Sequence, residues 1–272
     1  MNKYPIHPVA AIRSLYIHRH LVVTLVRRDM AARYRGSIFG ILWALFNPLL
    51  MLVVYTFVFS VIFKARWGGG GDSKTEFALL LFLGLIVFNI FSECVSKAPA
   101  TIVSNGNYVK KVIFPLEILP WVNIFVALVN ALISLSVWIV AFIFLFGIPS
   151  PYLLMLPLVI LPLVLFIMGL SWCLASLGVY IRDVSQLVSI VVTVTMFLSP
   201  IFYPISALPE RFQSIVLLNP LATVIEQMRQ ILFWRQPTDL TYYWLELLGS
   251  AIVAWLGFAW FQKTRKGFAD VL

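Results

Sequence analysis

The residues best suited to chemistry in this chain are few, and their spacing argues against catalysis. His7, His18 and His20 share one N-terminal segment. A metal site needs such imidazoles beside further Cys, His or carboxylate ligands at short fixed spacing. None stands near them, so they read as interfacial side chains and no metal ligand set is expected. Lys74 follows Gly68, Gly69, Gly70 and Gly71, which invites comparison with a phosphate-binding loop. That loop requires Gly-Lys-Ser/Thr, so that backbone amides and the lysine meet the same phosphate. Here Ser73 precedes Lys74, and the stretch reads as a flexible connection. No Gly-x-Ser-x-Gly elbow or comparable nucleophile motif appears. Cys94 and Cys173 lie in or near apolar runs and read as small apolar side chains without a disulfide framework.

Ionisable groups in the middle of apolar runs would suggest ion-coupled transport, because such groups are costly there and persist for function. The run centres are nearly free of charge. Glu93 comes closest, near the inner end of its run, with Lys97 one helical turn further on. A pair at that spacing can be satisfied at the interface. Energy is therefore expected to come from a separate subunit, and the chain is expected to carry no catalytic residue, cofactor or metal.

The elements that position these residues follow from composition. Of 272 residues, 61% are hydrophobic and 11% charged, against roughly 45–50% and about 25% in soluble domains. Lipid must solvate much of this surface. A net charge of +9 on one soluble face would suggest nucleic acid, but the cations cluster at the ends of apolar runs, so no nucleic-acid partner is expected. Six spans are predicted, at 38–63, 77–96, 118–146, 152–180, 187–203 and 243–261. Backbone groups in hydrocarbon must be satisfied within the segment, so the fold class is an all-α integral membrane protein. Pro48, Pro157 and Pro162 should kink their helices. With the N-terminus inside, 14 of the 20 Lys and Arg residues fall on the inner side, which predicts cytoplasmic termini. The remaining cations are Lys64, Arg66, Lys74, Arg211, Arg229 and Arg235. The division is a cytoplasmic amphipathic segment, 1–37, and one transmembrane domain, 38–272.

Three segments outside the spans carry patterns of their own. In the arm 9–35, Val22, Val23, Leu25, Val26 and Met30 share one helical sector, with Thr24, Arg27, Arg28 and Arg35 opposite. Such a helix lies flat on an anionic leaflet, with Asp29 and Arg33 spaced to pair. In the inner loop 105–115, Asn105-Gly106-Asn107 signals a turn, and Tyr108, Lys110, Lys111, Ile113 and Phe114 follow before Pro115. An ordinary loop has no need of these aromatics; a surface that presses into a partner's groove does. In the outer stretch 204–241, Leu208-Pro209-Glu210 and Asn219-Pro220 read as helix starts. Leu221, Val224, Ile225, Met228, Ile231 and Leu232 then repeat at helical spacing, with Glu226, Gln227, Arg229 and Gln230 filling the rest. Both helices are too short to cross a bilayer and read as re-entrant outer helices.

Aromatic residues reach 15%. Trp43, Trp67, Trp121, Trp244 and Trp260 suit interfacial belts. Phe59, Phe88, Phe91, Trp138 and Phe197 lie deeper, where their faces could stack on sugar rings along a channel.

The block Arg28-Asp29 … Arg33-Tyr34-x-x-Ser37-x-x-Gly40-x-x-Trp43, followed by Asn47-Pro48, resembles the membrane subunit of polysaccharide ABC exporters. The likeness continues at Lys110–Pro115, Arg182-Asp183, Ser199–Pro204 and Asn219-Pro220. The resemblance implies a second copy of the chain and two nucleotide-binding ATPase subunits, which hold ATP and Mg. It implies a polysaccharide linked to undecaprenyl diphosphate as substrate, with O-antigen favoured over capsule or teichoic acid, and a location in the inner membrane among its lipids. By the same resemblance Arg33 and Arg35 contact the lipid diphosphate, and Tyr108, Lys110, Lys111 and Phe114 couple to the ATPase. Asn219, Pro220, Glu226 and Arg229 then belong to an outer gate. A lipid or drug exporter of related architecture is the nearest rival. A secondary transporter would need inverted repeats and mid-membrane charges. A glycosyltransferase or ligase would need clustered acids outside, where the large loop offers Glu210, Glu226 and Asp239.

Overall fold

A computed structural model describes residues 5–37, 39–58, 74–111, 114–237 and 240–272. Within these residues the chain is helical and forms no strand. Helices α1 (Pro8–Ile17) and α2 (Arg19–Tyr34) meet at a 73° bend. Helices α3 (Trp43–Phe57) and α4 (Lys74–Lys97) follow, then the short α5 (Ala100–Val103) and α6 (Gly106–Lys111). Next come α7 (Leu119–Phe146), α8 (Leu156–Tyr180), α9 (Val184–Leu198), α10 (Glu210–Leu217) and α11 (Pro220–Leu232). The described chain closes with α12 (Leu240–Thr264) and α13 (Phe268–Val271).

Among the described residues four helical stretches are long and apolar enough to cross a membrane, Thr75–Lys97, Leu116–Phe146, Pro151–Tyr180 and Tyr243–Val271, and the bent pair α1–α2 makes a fifth if it counts as one broken span. The four match four of the six predicted spans, and the last of them runs beyond the expected end. In the other two places stand α3 and α9, each 15 residues. At 1.5 Å per residue such a helix reaches about 22 Å, short of a hydrocarbon core of about 30 Å. The predicted span 187–203 is therefore not matched in length by α9, and residues 38 and 59–63 of the predicted span 38–63 lie outside the described residues.

Local chemistry sets the helix limits. Ser150 accepts a hydrogen bond from the Tyr152 amide at 3.3 Å, starting the turn that leads into α8. Gly147 ends α7 with φ 86°, a conformation that costs glycine little. Pro48 and Pro162 lie inside helices, as expected. Pro157 instead occupies the first turn of α8, where its missing N–H has no helical partner to lose.

Helix α4 forms the centre, buried continuously from Phe77 to Phe88. Helices α8 and α12 pack closely because glycines remove the side chains between them. A Cβ on Gly257 would meet the carbonyl of Gly169, and one on Gly169 would meet the backbone of Val253. Small residues at such crossings let backbones approach and gain contact where lipid provides no hydrophobic drive. On α2, Val22, Leu25 and Met30 are buried while Arg27 and Arg28 are exposed. Val23, placed in the apolar sector by periodicity, is 48% exposed, because it lies at the edge of that sector.

Candidate functional site

Below its buried stretch, α4 changes character. Asn89, Ser92, Glu93, Ser96 and Lys97 recur at spacings of three and four and line a cavity of ≈ 550 Å³. Asn130 and Ser134 of α7 and Trp43 and Asn47 of α3 form its other walls, with Arg33 at the end of α2. Glu93 anchors the cavity. Its Oε1 accepts from Arg33 Nη2 at 2.7 Å and from Lys97 Nζ at 2.8 Å, and its Oε2 from Asn130 Nδ2 at 3.0 Å. The Glu93–Lys97 pair is therefore present as expected, and Arg33 joins it from 60 residues away. Two cations share one carboxylate, which leaves this wall one positive charge in excess.

Arg33 thus belongs to the cavity, whereas Arg35 lies exposed just beyond α2. The expected Asp29–Arg33 pair gives way to Arg28–Asp29 at 2.9 Å, since Arg33 is drawn across to Glu93. The hydrogen bond that Arg28 donates to the Asp29 carboxylate raises the guanidinium above its ordinary pKa, so it stays a cation. The polar stripe on α4 escaped the sequence reading, although its i, i+3, i+4, i+7, i+8 spacing is visible there. Asn89, Ser92 and Ser96 carry no charge, so hydropathy alone counts them within an ordinary span.

The inner loop folds into α5 and α6 and is held from two sides. Arg28 of α2 donates to the Tyr108 hydroxyl at 2.9 Å, and Tyr108 stacks on Phe114 at 4.4 Å with rings 6° from parallel. The two aromatics expected to face a partner therefore face each other, leaving Asn107 and Lys110 exposed. Lys110 Nζ also donates to the Leu272 carbonyl. The Asn123 amide donates to Thr101 Oγ1 at 2.8 Å, tying α5 to α7. Lys111 closes α6, and its side chain lies outside the described residues.

In the outer stretch Asn219 caps α11, accepting from the Leu221 amide at 3.0 Å, while its Nδ2 donates to Ser199 Oγ at 3.0 Å. Pro220 occupies the first turn. The predicted apolar stripe from Leu221 to Leu232 is buried. Arg229, placed among the outer cations on the polar remainder of the helix, is 0% exposed. Its Nε donates to Leu80 O at 3.2 Å, Nη1 to Pro200 O at 2.8 Å and Nη2 to Ile201 O at 3.1 Å. Glu226 stands 3.4 Å away and is partly exposed. Carbonyls left over at the break after α9 supply a polar nest that outcompetes water for this guanidinium.

Among the proposed channel aromatics, Phe88, Phe91 and Trp138 are buried within the helix core. Trp138 donates to Leu79 O at 3.0 Å and stacks on Phe142 at 4.8 Å, an arrangement with no free face for a sugar. Phe197 is 62% exposed. Phe59 lies outside the described residues.

Among the described residues no group of three or more His, Cys, Asp or Glu could hold a metal ion. The described residues thus form a helical bundle with four membrane-length helices and a polar cavity beside a braced loop. The chain belongs to the ABC-2 type transporter membrane family, whose model matches residues 20–233. It is 29% identical over 254 residues to the O-antigen export system permease protein RfbA of Klebsiella pneumoniae, covering 93% of this chain and 95% of that one. A protein of the same name from Myxococcus xanthus is 29% identical over 264 residues, 96% of this chain and 99% of that one. The capsule polysaccharide export inner-membrane protein CtrC of Neisseria meningitidis is 23% identical over 271 residues, 96% and 97% of the two chains.

Proposed function

We propose that this chain is the multi-pass, inner-membrane subunit of an ABC exporter that carries lipid-linked surface polysaccharide, with ATP and Mg bound by a separate ATPase. The carrying observation is near-full-length similarity to O-antigen export permeases. O-antigen ranks ahead of capsule because identity falls from 29% to 23% between the two groups of relatives. Two copies of this chain pair above two ATPase subunits, and each contributes six spans, with α3 and α9 as the inner parts of the first and fifth. Helices α10 and α11 form the outer gate.

Within this reading the cavity along the Asn89–Lys97 end of α4 receives the anionic head of the undecaprenyl diphosphate carrier. The excess cation there supports it, since guanidinium groups bind phosphate oxygens in pairs. Arg35 meets the diphosphate first and Arg33 follows, exchanging part of its bond to Glu93. The segment from α5 to Phe114 seats on the ATPase through its exposed Asn107 and Lys110. Of the aromatics, Phe197 keeps a face for glycan.

The test is co-expression with an ATPase subunit. ATP-dependent appearance of glycan outside the membrane is expected, and export driven by an ion gradient without the ATPase would overturn the reading. Arg35→Glu should reduce export while insertion and assembly persist; unchanged export removes Arg35 from the site.

A further inference from the structure

Glu117 lies in the turn between the inner loop and α7, and the structure assigns it, with Arg265, a role beyond anchoring. We infer that the Glu117–Arg265 ion pair is the joint through which the inner loop acts on α12, and that both are positioning residues for coupling transport to ATP hydrolysis. This inference rests on the exporter reading above.

Four separate parts of the chain converge on this pair. Glu117 Oε1 accepts from Ser14 Oγ of α1 at 2.9 Å, and Oε2 from Arg265 Nη1 at 2.5 Å. The Glu117 carbonyl accepts from Trp172 Nε1 of α8 at 3.0 Å. Arg265 uses its second nitrogen, Nη2, to reach the Phe114 carbonyl at 2.8 Å. One guanidinium therefore grips both the inner loop, at Phe114, and the turn that follows it, at Glu117. Both side chains are largely buried, 12% exposed for Arg265 and 13% for Glu117.

Anchoring does not account for this placement. A cation that merely holds a span's inner end belongs in water, as exposed Lys263 and Lys266 are on either side. Arg265 instead turns inward. A planar fork with two bonds resists rotation as well as translation, so displacement of Phe114 pulls Arg265 along. The pull continues into α12, because Phe268 just beyond is fully buried against Phe261 and Tyr180. Helix α12 in turn is locked to α8 at Gly257 and Gly169. On the other side, Phe114 stacks on Tyr108, the residue bound by Arg28 of α2. A push on the loop thus has a stiff path to the α8–α12 pair, and Glu117–Arg265 is its link.

The experiment uses the complete transporter with its ATPase, reconstituted in proteoliposomes, and measures glycan exported per ATP hydrolysed, complex yield and thermal midpoint. Glu117→Gln keeps shape and removes charge. Arg265→Lys keeps charge and loses the second contact, to Phe114. Both should hydrolyse ATP near the wild-type rate and assemble normally, while export per ATP falls about tenfold, within the reach of single residues on a coupling path. Unchanged export per ATP in both variants overturns the joint. So does a loss of ATPase, yield and export in parallel, which marks the pair as merely structural. Should Glu117→Gln fail to assemble, Arg265→Lys alone decides on the same two criteria. A wild-type transporter that hydrolyses ATP without exporting glycan overturns the exporter reading and the joint with it.

Discussion

Arg33 and Arg229 occupy the two ends of the same helical core, and they are held in opposite ways. Arg229 is sealed from solvent and surrounded by three backbone carbonyls from α4 and the turn after α9. Arg33 keeps 38% of its side chain exposed and shares one carboxylate oxygen with Lys97. A guanidinium whose donors are consumed by carbonyls fastens elements together. One that competes with another cation for a single acceptor retains charge for a ligand. Arg229 is thus a rivet between α11, α4 and the 199–201 turn, whereas Arg33 stays open to the cavity that it lines.

That contrast can be broken by experiment, beginning where the effect is greatest. Arg229→Ala strands the carbonyls of Leu80, Pro200 and Ile201 in the core. It should destabilise the protein by about 3 kcal/mol or more, at about 1–3 kcal/mol for each buried acceptor left without a donor, read as a large drop in thermal midpoint in detergent. Wild-type stability would deny the rivet. Gly84→Ala probes the same place more gently, since its Cβ would stand 3.2 Å from Arg229 Nη2 and 3.3 Å from Ile201 Cα. Overpacking of this kind costs about 1–3 kcal/mol, and a smaller loss than for Arg229→Ala is expected in the same assay.

Arg33→Ala should cost at most about 1 kcal/mol, as partly exposed pairs do, yet weaken binding of vesicles containing a polyprenyl diphosphate. A stability loss equal to that of Arg229→Ala would erase the distinction between the two sites. Glu93→Gln sharpens it from the other side. Relieved of their shared carboxylate, Arg33 and Lys97 should hold the diphosphate more tightly, with stability again shifted by no more than about 1 kcal/mol. Weaker binding would show that Glu93, rather than the cations, shapes the cavity.

The legible part of the site is the part made by neighbours along the chain. Asn219 and Pro220 start α11 where the residue types demand, and the apolar stripe after them is buried in full. Glu93 meets Lys97 because one helical turn brings them together. Arg229 is the opposite case: its place on the helix predicts a polar face, and the carbonyls freed at Pro200 and Ile201 explain its burial. Trp138 has the residue type and depth for stacking on glycan, but its indole N–H is bound to Leu79 O and its ring is stacked on Phe142.

By itself the sequence determined an all-helical chain in lipid, the starts of α10 and α11, and the one-turn ion pair, because hydropathy, capping and periodicity act over a few residues. Tertiary structure alone decided that Arg33 leaves Asp29 for Glu93, that Arg265 reaches Glu117 across 148 positions, and that Arg229 turns inward. Charges in a low-dielectric bundle must find partners wherever the helices rotate them, and that rotation is set by packing between distant segments rather than by any local run of residues.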